Sequence, residues 1–81
     1  MKTAVFKKFT KRGYYKFEFE DGSEIMFDDA LPKVLVKYDL KKDISLLDTE
    51  FYITFKEEQD RKDEDLVIYT IMSLKPIDQK L

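Results

Sequence analysis

The twelve residues from Phe6 to Phe17 read FKKFTKRGYYKF. Five are basic (Lys7, Lys8, Lys11, Arg12, Lys16), five are aromatic (Phe6, Phe9, Tyr14, Tyr15, Phe17) and none is acidic. Cations beside rings can hold single-stranded nucleic acid, because the cations neutralise phosphates and the rings stack on bases. The same residue types also make protein interfaces, with aromatics and Met at the centre and charges at the rim. Within the stretch, RGYYKFEF agrees with an RNA-binding signature at Arg12, Gly13, Tyr14 and Phe19. It departs from that signature at Tyr15, Lys16 and Phe17.

A second charged run has the opposite sign. Glu57, Glu58, Asp60, Asp63, Glu64 and Asp65 surround Arg61 and Lys62. Acids at this density could ligate calcium. The run lacks the glycine and the alternating acids of an EF-hand loop, so it reads as a solvated hairpin loop whose charges keep a strand edge soluble.

Catalytic chemistry has little to work with. There is no Cys and no His, so the usual nucleophile–base pairs and transition-metal ligands are missing. Ser23, Ser45 and Ser73 stand in no nucleophile-elbow pattern. The only glycines, Gly13 and Gly22, cannot build a phosphate-cradling loop. The carboxylates fall on strand edges and loops, whereas a general acid needs burial to raise its pKa. The expectation is a protein that is not an enzyme and holds no metal or cofactor.

The elements that must position these residues follow from periodicity. The sequence of 81 residues is the length of one domain, read here as 1–81. With no disulfide to staple it, stability rests on apolar packing, and seven Phe and five Tyr supply large buried areas. Tyr15, Phe17 and Phe19 alternate with Lys16, Glu18 and Glu20, which predicts a strand with its rings inward and Tyr14 and Lys16 outward. Asp21-Gly22 is a hairpin turn signal. A third strand follows at Glu24–Asp28, with Ile25 and Phe27 inward. A first strand, about Thr3–Thr10, enters through the turn Lys11-Arg12-Gly13, and its broken alternation predicts a bulge at Lys7-Lys8.

The period then changes. Leu31, Val34, Leu35 and Tyr38 form one helical stripe, with Pro32 in the first turn and Asp28 or Asp29 as the cap. Lys37, Lys41 and Lys42 are expected near its C-terminal end, where the helix dipole favours cations. Strands resume at Phe51–Lys56 and Leu66–Leu74, and Asp78–Leu81 is expected to fray.

The expected fold class is therefore mainly β. The order β-β-β-α-β-β predicts a small five-stranded OB-like barrel with the helix plugging one end. An SH3-like barrel, with no true helix between its third and fourth strands, is the runner-up.

Charge is segregated along this order. Residues 1–19 carry six bases and one acid, whereas residues 20–30 carry five acids and no base. Residues 48–65 carry eight acids and three bases, and the whole chain nets -2. No apolar stretch is long enough to span a membrane, and the N-terminal residues lack the apolar core of a signal peptide. A cytoplasmic location is the default expectation, in keeping with the absence of cysteine.

A basic turn, Gly13-Tyr14, an alternating strand, an acidic turn and then Glu24-Ile25-Met26-Phe27 resembles the first three strands of cold-shock domains. Those are OB-fold proteins that bind single-stranded RNA and DNA. The resemblance covers about Val5–Asp29. The later part is similar to small bacterial OB-like barrel domains, with a helix that cold-shock proteins lack. The resemblance implies binding through outward aromatics of strands two and three. Tyr14 keeps the first such ring, and Lys16 stands where the second would be. Met26, Asp28 and Asp29 occupy the matching places on strand three.

The reading that follows is a non-catalytic binding module. Its first expected partner is a protein, anchored on Tyr14, Met26 and Tyr52 with Lys8, Lys11, Arg12 and Lys16 at the rim. The alternative is weak single-stranded nucleic-acid binding through Lys8, Lys11, Arg12, Tyr14 and Lys16.

Overall fold

The computed structural model describes residues 2–77. The expectation of a frayed Asp78–Leu81 falls outside them. Strand β1 runs from Lys2 to Phe9, β2 from Tyr15 to Phe19 and β3 from Glu24 to Phe27. Their turns need left-handed backbone, and glycine supplies it at Gly13 (φ 92°) and Gly22 (φ 87°). After β3 comes a two-residue strand, β4 (Asp29–Ala30), that the sequence pattern did not suggest. Helix α1 (Pro32–Lys37) and a 3-10 turn at Ile44–Leu46 lead to the long strands β5 (Glu50–Gln59) and β6 (Val67–Pro76).

The six strands form one mixed sheet in the order β3-β2-β1-β5-β6-β4. All neighbours are antiparallel except β4 and β6, which are parallel. The expected mainly β class is met, but in place of a five-stranded barrel the strands form one open six-stranded sheet, with β3 at one edge and β4 at the other. The physical reason lies at Asp28, where the chain leaves the β2 ladder and joins β6 instead. The Asp28 N–H donates to the Tyr69 carbonyl (2.9 Å), and the Tyr69 N–H donates back to Asp28 Oδ2 (2.8 Å). One residue thus separates the two edge strands, which requires the sheet to curl until its edges approach.

That curl puts the inward rings together. Phe17 meets Phe6 (5.2 Å between ring centroids), Phe27 (5.6 Å) and Phe51 (6.4 Å), so β1, β2, β3 and β5 share one core. Phe27 also meets Phe55 (5.1 Å) and Tyr69 (6.2 Å). Phe6, Tyr15, Phe17, Phe19, Phe27, Phe51 and Ile53 are all buried, and for Tyr15, Phe17, Phe19 and Phe27 this is the inward face that alternation predicted. Ile25, Phe9 and Phe55 are half-buried against the same core. Edge-to-face ring pairs add roughly 0.5–1.5 kcal/mol each beyond the area they bury.

The expected helix is present but short, with six residues. Val34 is buried, and Leu31, Leu35 and Tyr38 pack on the core from one side. Its cap differs from expectation. Leu31 is the N-cap and offers no side-chain hydrogen bond. Asp28 is committed to Tyr69, and Asp29 Oδ1 accepts the Ala30 N–H (2.8 Å), because both acids serve the strand junction instead. Lys37 lies in the last turn, while Lys41 and Lys42 fall beyond it. The helix ends at Lys37 because the Tyr38 backbone is extended.

Two departures from regular strand matter for the surface. The β1–β2 register shifts between Phe6 and Lys8, which is the predicted bulge. In addition, among the described residues β5 pairs with β1 from Glu50 to Ile53, and from Thr54 to Gln59 it pairs with β6. Because β4 pairs with β6 at Thr70 and Ile71, only the distal end of that hairpin, Glu57–Gln59 with Val67–Tyr69, is a two-stranded arm, and it carries the acidic run at its tip; the longest dimension of the described residues is 48 Å.

Candidate interaction face

On the outer face of the sheet, side chains fall into cross-strand rows. Lys8 on β1 pairs with Lys16 on β2, and Lys16 pairs with Met26 on β3. The bulge at Lys7 makes this row. Without it Lys8 would point inward with Phe6, since a one-residue slip exchanges the faces of a strand. Met26 is 51% exposed, unusual for a large apolar side chain in mid-strand. Tyr14 lies two residues before Lys16, so it extends the same face, and it is half-buried. Its position is held by Thr10: the Thr10 N–H donates to the Tyr14 carbonyl (2.8 Å), and the Tyr14 N–H donates to Thr10 Oγ1 (3.0 Å). Lys11 and Arg12 are exposed at the tip of that turn.

Tyr52 is elsewhere. Its partners across the ladder are Thr3 and Lys75. Thr3 and Lys8 are five residues apart on β1, which is about 16 Å along the strand. The structure therefore brings Lys8, Lys16 and Met26 together, sets Tyr14 beside them, and leaves the 37%-exposed Tyr52 out of the patch. Alternation alone gave all three outward residues equal standing, because it reports a face and not a position along it.

A row of glutamates divides the two regions. Glu24, Glu18, Val5 and Glu50 stand opposite one another across β3, β2, β1 and β5. Lys16 reaches back to Glu24 (3.5 Å), so the basic row is partly compensated within the sheet. Lys7 is also engaged. Its Nζ donates to Asp48 Oδ1 (2.8 Å), and that hydrogen bond and charge raise the Lys7 pKa above its usual value. Asp48 adopts a left-handed backbone (φ 64°), and its N–H donates to the Phe6 carbonyl (2.7 Å). Among the described residues Lys8, Lys11 and Arg12 take part in no ion pair.

A groove at the other end of β2 had no counterpart in the sequence reading. Lys2, Thr3, Phe19, Glu20, Asp21, Ser23 and Ile25 line it, and it encloses about 360 Å³. Its floor is the buried Phe19 and the half-buried Ile25. The available signal was the pair of acids flanking the Asp21-Gly22 turn, which was absorbed into the hairpin assignment.

Among the described residues no group of acids is arranged to hold a metal ion, and no helix is long and apolar enough to cross a membrane. No known family model matches the chain, and no curated protein or solved structure matches it either. The resemblance to cold-shock domains over Val5–Asp29 thus rests on residue pattern alone.

Proposed function

We propose that this protein is a non-catalytic binding module of OB-like build that docks another protein through the outer face of β1, β2 and β3. The observation that carries the reading is the in-register row of Lys8, Lys16 and Met26, with Tyr14 beside it. An exposed Met and a half-exposed Tyr supply the apolar centre, and Lys8, Lys11 and Arg12, which have no ion pair among the described residues, supply the rim. The charge favours a partner that is acidic where it touches.

The OB-like build is supported by the strand order. When β3 and β4 are taken as one strand bent at Asp28, each strand has two neighbours and β3/β4 returns to β6. That is the connectivity of a partly open five-stranded barrel. In such barrels ligands lie on the second and third strands, where the row sits.

The test is capture of interacting proteins on immobilised protein, with Lys16→Glu/Met26→Ala and Tyr52→Ala variants run in parallel. Capture should be lost in the double variant and retained in Tyr52→Ala. A partner held equally by the double variant places the interface elsewhere.

The second reading is weak single-strand nucleic-acid binding through Lys8, Lys11, Arg12, Tyr14 and Lys16. The uncommitted cations of the β1–β2 turn favour it. The Glu18, Glu24 and Glu50 row and the acidic arm oppose it by repelling phosphates. Titrating oligo-dT and oligo-U at low salt, with Tyr14 and Lys16 amide resonances as readout, decides the matter. Salt-sensitive shifts support this reading, and unmoved resonances at millimolar oligonucleotide remove it.

A further inference from the structure

The geometry points to a second interaction surface, and we propose that it is self-complementary head to tail: the Lys11-Arg12 turn of one copy docks into the groove at the Asp21-Gly22 turn of another. Three observations carry this. First, the groove is built for a long cationic side chain. Phe19 and Ile25 give an apolar floor for the methylene stem, and Glu20 and Asp21 stand at the rim for the charged head. Second, those carboxylates keep free acceptors. Asp21 Oδ1 accepts both the Ser23 N–H (2.9 Å) and the Ser23 hydroxyl (2.6 Å), and Glu20 Oε1 accepts the Thr3 hydroxyl. Among the described residues no hydrogen bond falls on Asp21 Oδ2 or Glu20 Oε2, so both remain for a guanidinium, which binds carboxylates through paired N–H groups.

Third, the basic Lys11-Arg12 turn is on the same chain and cannot reach the groove within it. The β1–β2 turn and the β2–β3 turn lie at opposite ends of β2, a strand of five residues, or about 17 Å. Neither lysine nor arginine spans that distance. The strand directions reinforce the polarity. Because β2 and β5 both run antiparallel to β1, the acidic arm leaves the sheet at the same end as the groove. Each copy is therefore basic at one end and acidic at the other. Lys2 shares the groove, with its Nζ 5.8 Å from the Phe19 ring centroid. That places one cation already over the floor and limits the contact to weak affinity. A heterologous contact of this kind does not close on itself and extends along a line of copies.

This inference shares Lys11 and Arg12 with the rim of the proposed docking face but does not need the Lys8–Lys16–Met26 row that anchors it, so the groove variant Asp21→Arg tests it separately from the proposed function. The experiment is an amide NMR dilution series from about 0.05 to about 1 mM at low salt, the range in which a small interface is populated. Concentration-dependent shifts are expected at Lys11–Gly13 and Phe19–Ser23 together, fading with salt. Arg12→Glu and Asp21→Arg should each abolish them alone, with well-dispersed spectra showing that both variants fold. An equimolar mixture of the two variants should restore them, because the intact basic turn of the Asp21→Arg copy then meets the intact groove of the Arg12→Glu copy, and the reversed turn meets the reversed groove. Unchanged spectra across the series overturn the proposal, as do shifts that survive both variants or a mixture that does not recover. A groove that takes a short arginine-containing peptide while copies stay apart overturns the choice of occupant.

Discussion

The junction at Asp28 should be the most sensitive polar position in the fold. Its carboxylate accepts the N–H of Tyr69 at 2.8 Å, and its own N–H donates to the Tyr69 carbonyl at 2.9 Å. Tyr69 is half-buried and its ring rests on Phe27, so water reaches its backbone poorly. Asp28→Ala removes a charged acceptor and leaves that N–H without a partner, at a cost of about 1–3 kcal/mol. A domain of 81 residues has about 4–12 kcal/mol of stability in all. At this size each kcal/mol moves Tm by about 4–8 °C, so the expected fall is about 4–24 °C. Asp28→Asn keeps an acceptor oxygen and loses only its charge, so it should cost about half as much or less.

Thermal and denaturant unfolding measure the magnitude, and amide hydrogen exchange measures the place. Exchange should accelerate first at Tyr69, Asp28 and Leu31. The last of these donates to the Ile71 carbonyl in the same junction (3.0 Å). If Asp28→Ala unfolds within about 0.5 kcal/mol of the parent, the scatter of neutral surface changes, and the Tyr69 amide stays protected, the carboxylate does not hold the edges and the reasoning is wrong.

Two further outcomes follow from the loops. Asp48→Ala should destabilise by about 1–2 kcal/mol, because a Cβ-bearing residue without a helpful polar group resists the left-handed region. Asp48→Gly should be well tolerated, since the ion pair that it also removes is exposed and salt-screened, and denaturant midpoints of the two variants read the difference. Asp21 should titrate below its ordinary value of 3.8, because the Ser23 hydroxyl and N–H stabilise the carboxylate. Its contribution to stability is then present above pH 3.8 and is lost as pH falls through the depressed folded value. In Ser23→Ala the carboxyl midpoint, followed by carbon NMR, should move up toward 3.8; a midpoint unmoved by the change removes the Ser23 hydroxyl as the cause.

Much of the fold was legible. Tyr15, Phe17 and Phe19 are inward because period-two alternation has one solution when a face must be buried. The bulge at Lys7-Lys8 was visible because two adjacent lysines cannot both alternate with Phe6 and Phe9. The β4 strand was not legible, since two residues carry no period. The cap of α1 was misplaced for a related reason. Asp28 and Asp29 are sound capping residues by type, and only the approach of β6 gives Asp28 a better partner. The candidate site was half legible. Outward residues could be named, but their neighbours could not, which is why Tyr52 was grouped with Met26.

Local chemistry decided which residues face inward, where the turns form and that neither cysteine nor histidine is present, because those follow from residue type and spacing within a few positions. Tertiary structure decided three other things. It joined the sheet edges through Asp28, set Lys8, Lys16 and Met26 in one row, and placed the basic turn and the acidic groove at opposite ends of β2. Each depends on register between strands far apart in the chain. That register is set by how the whole core packs, which no single stretch encodes.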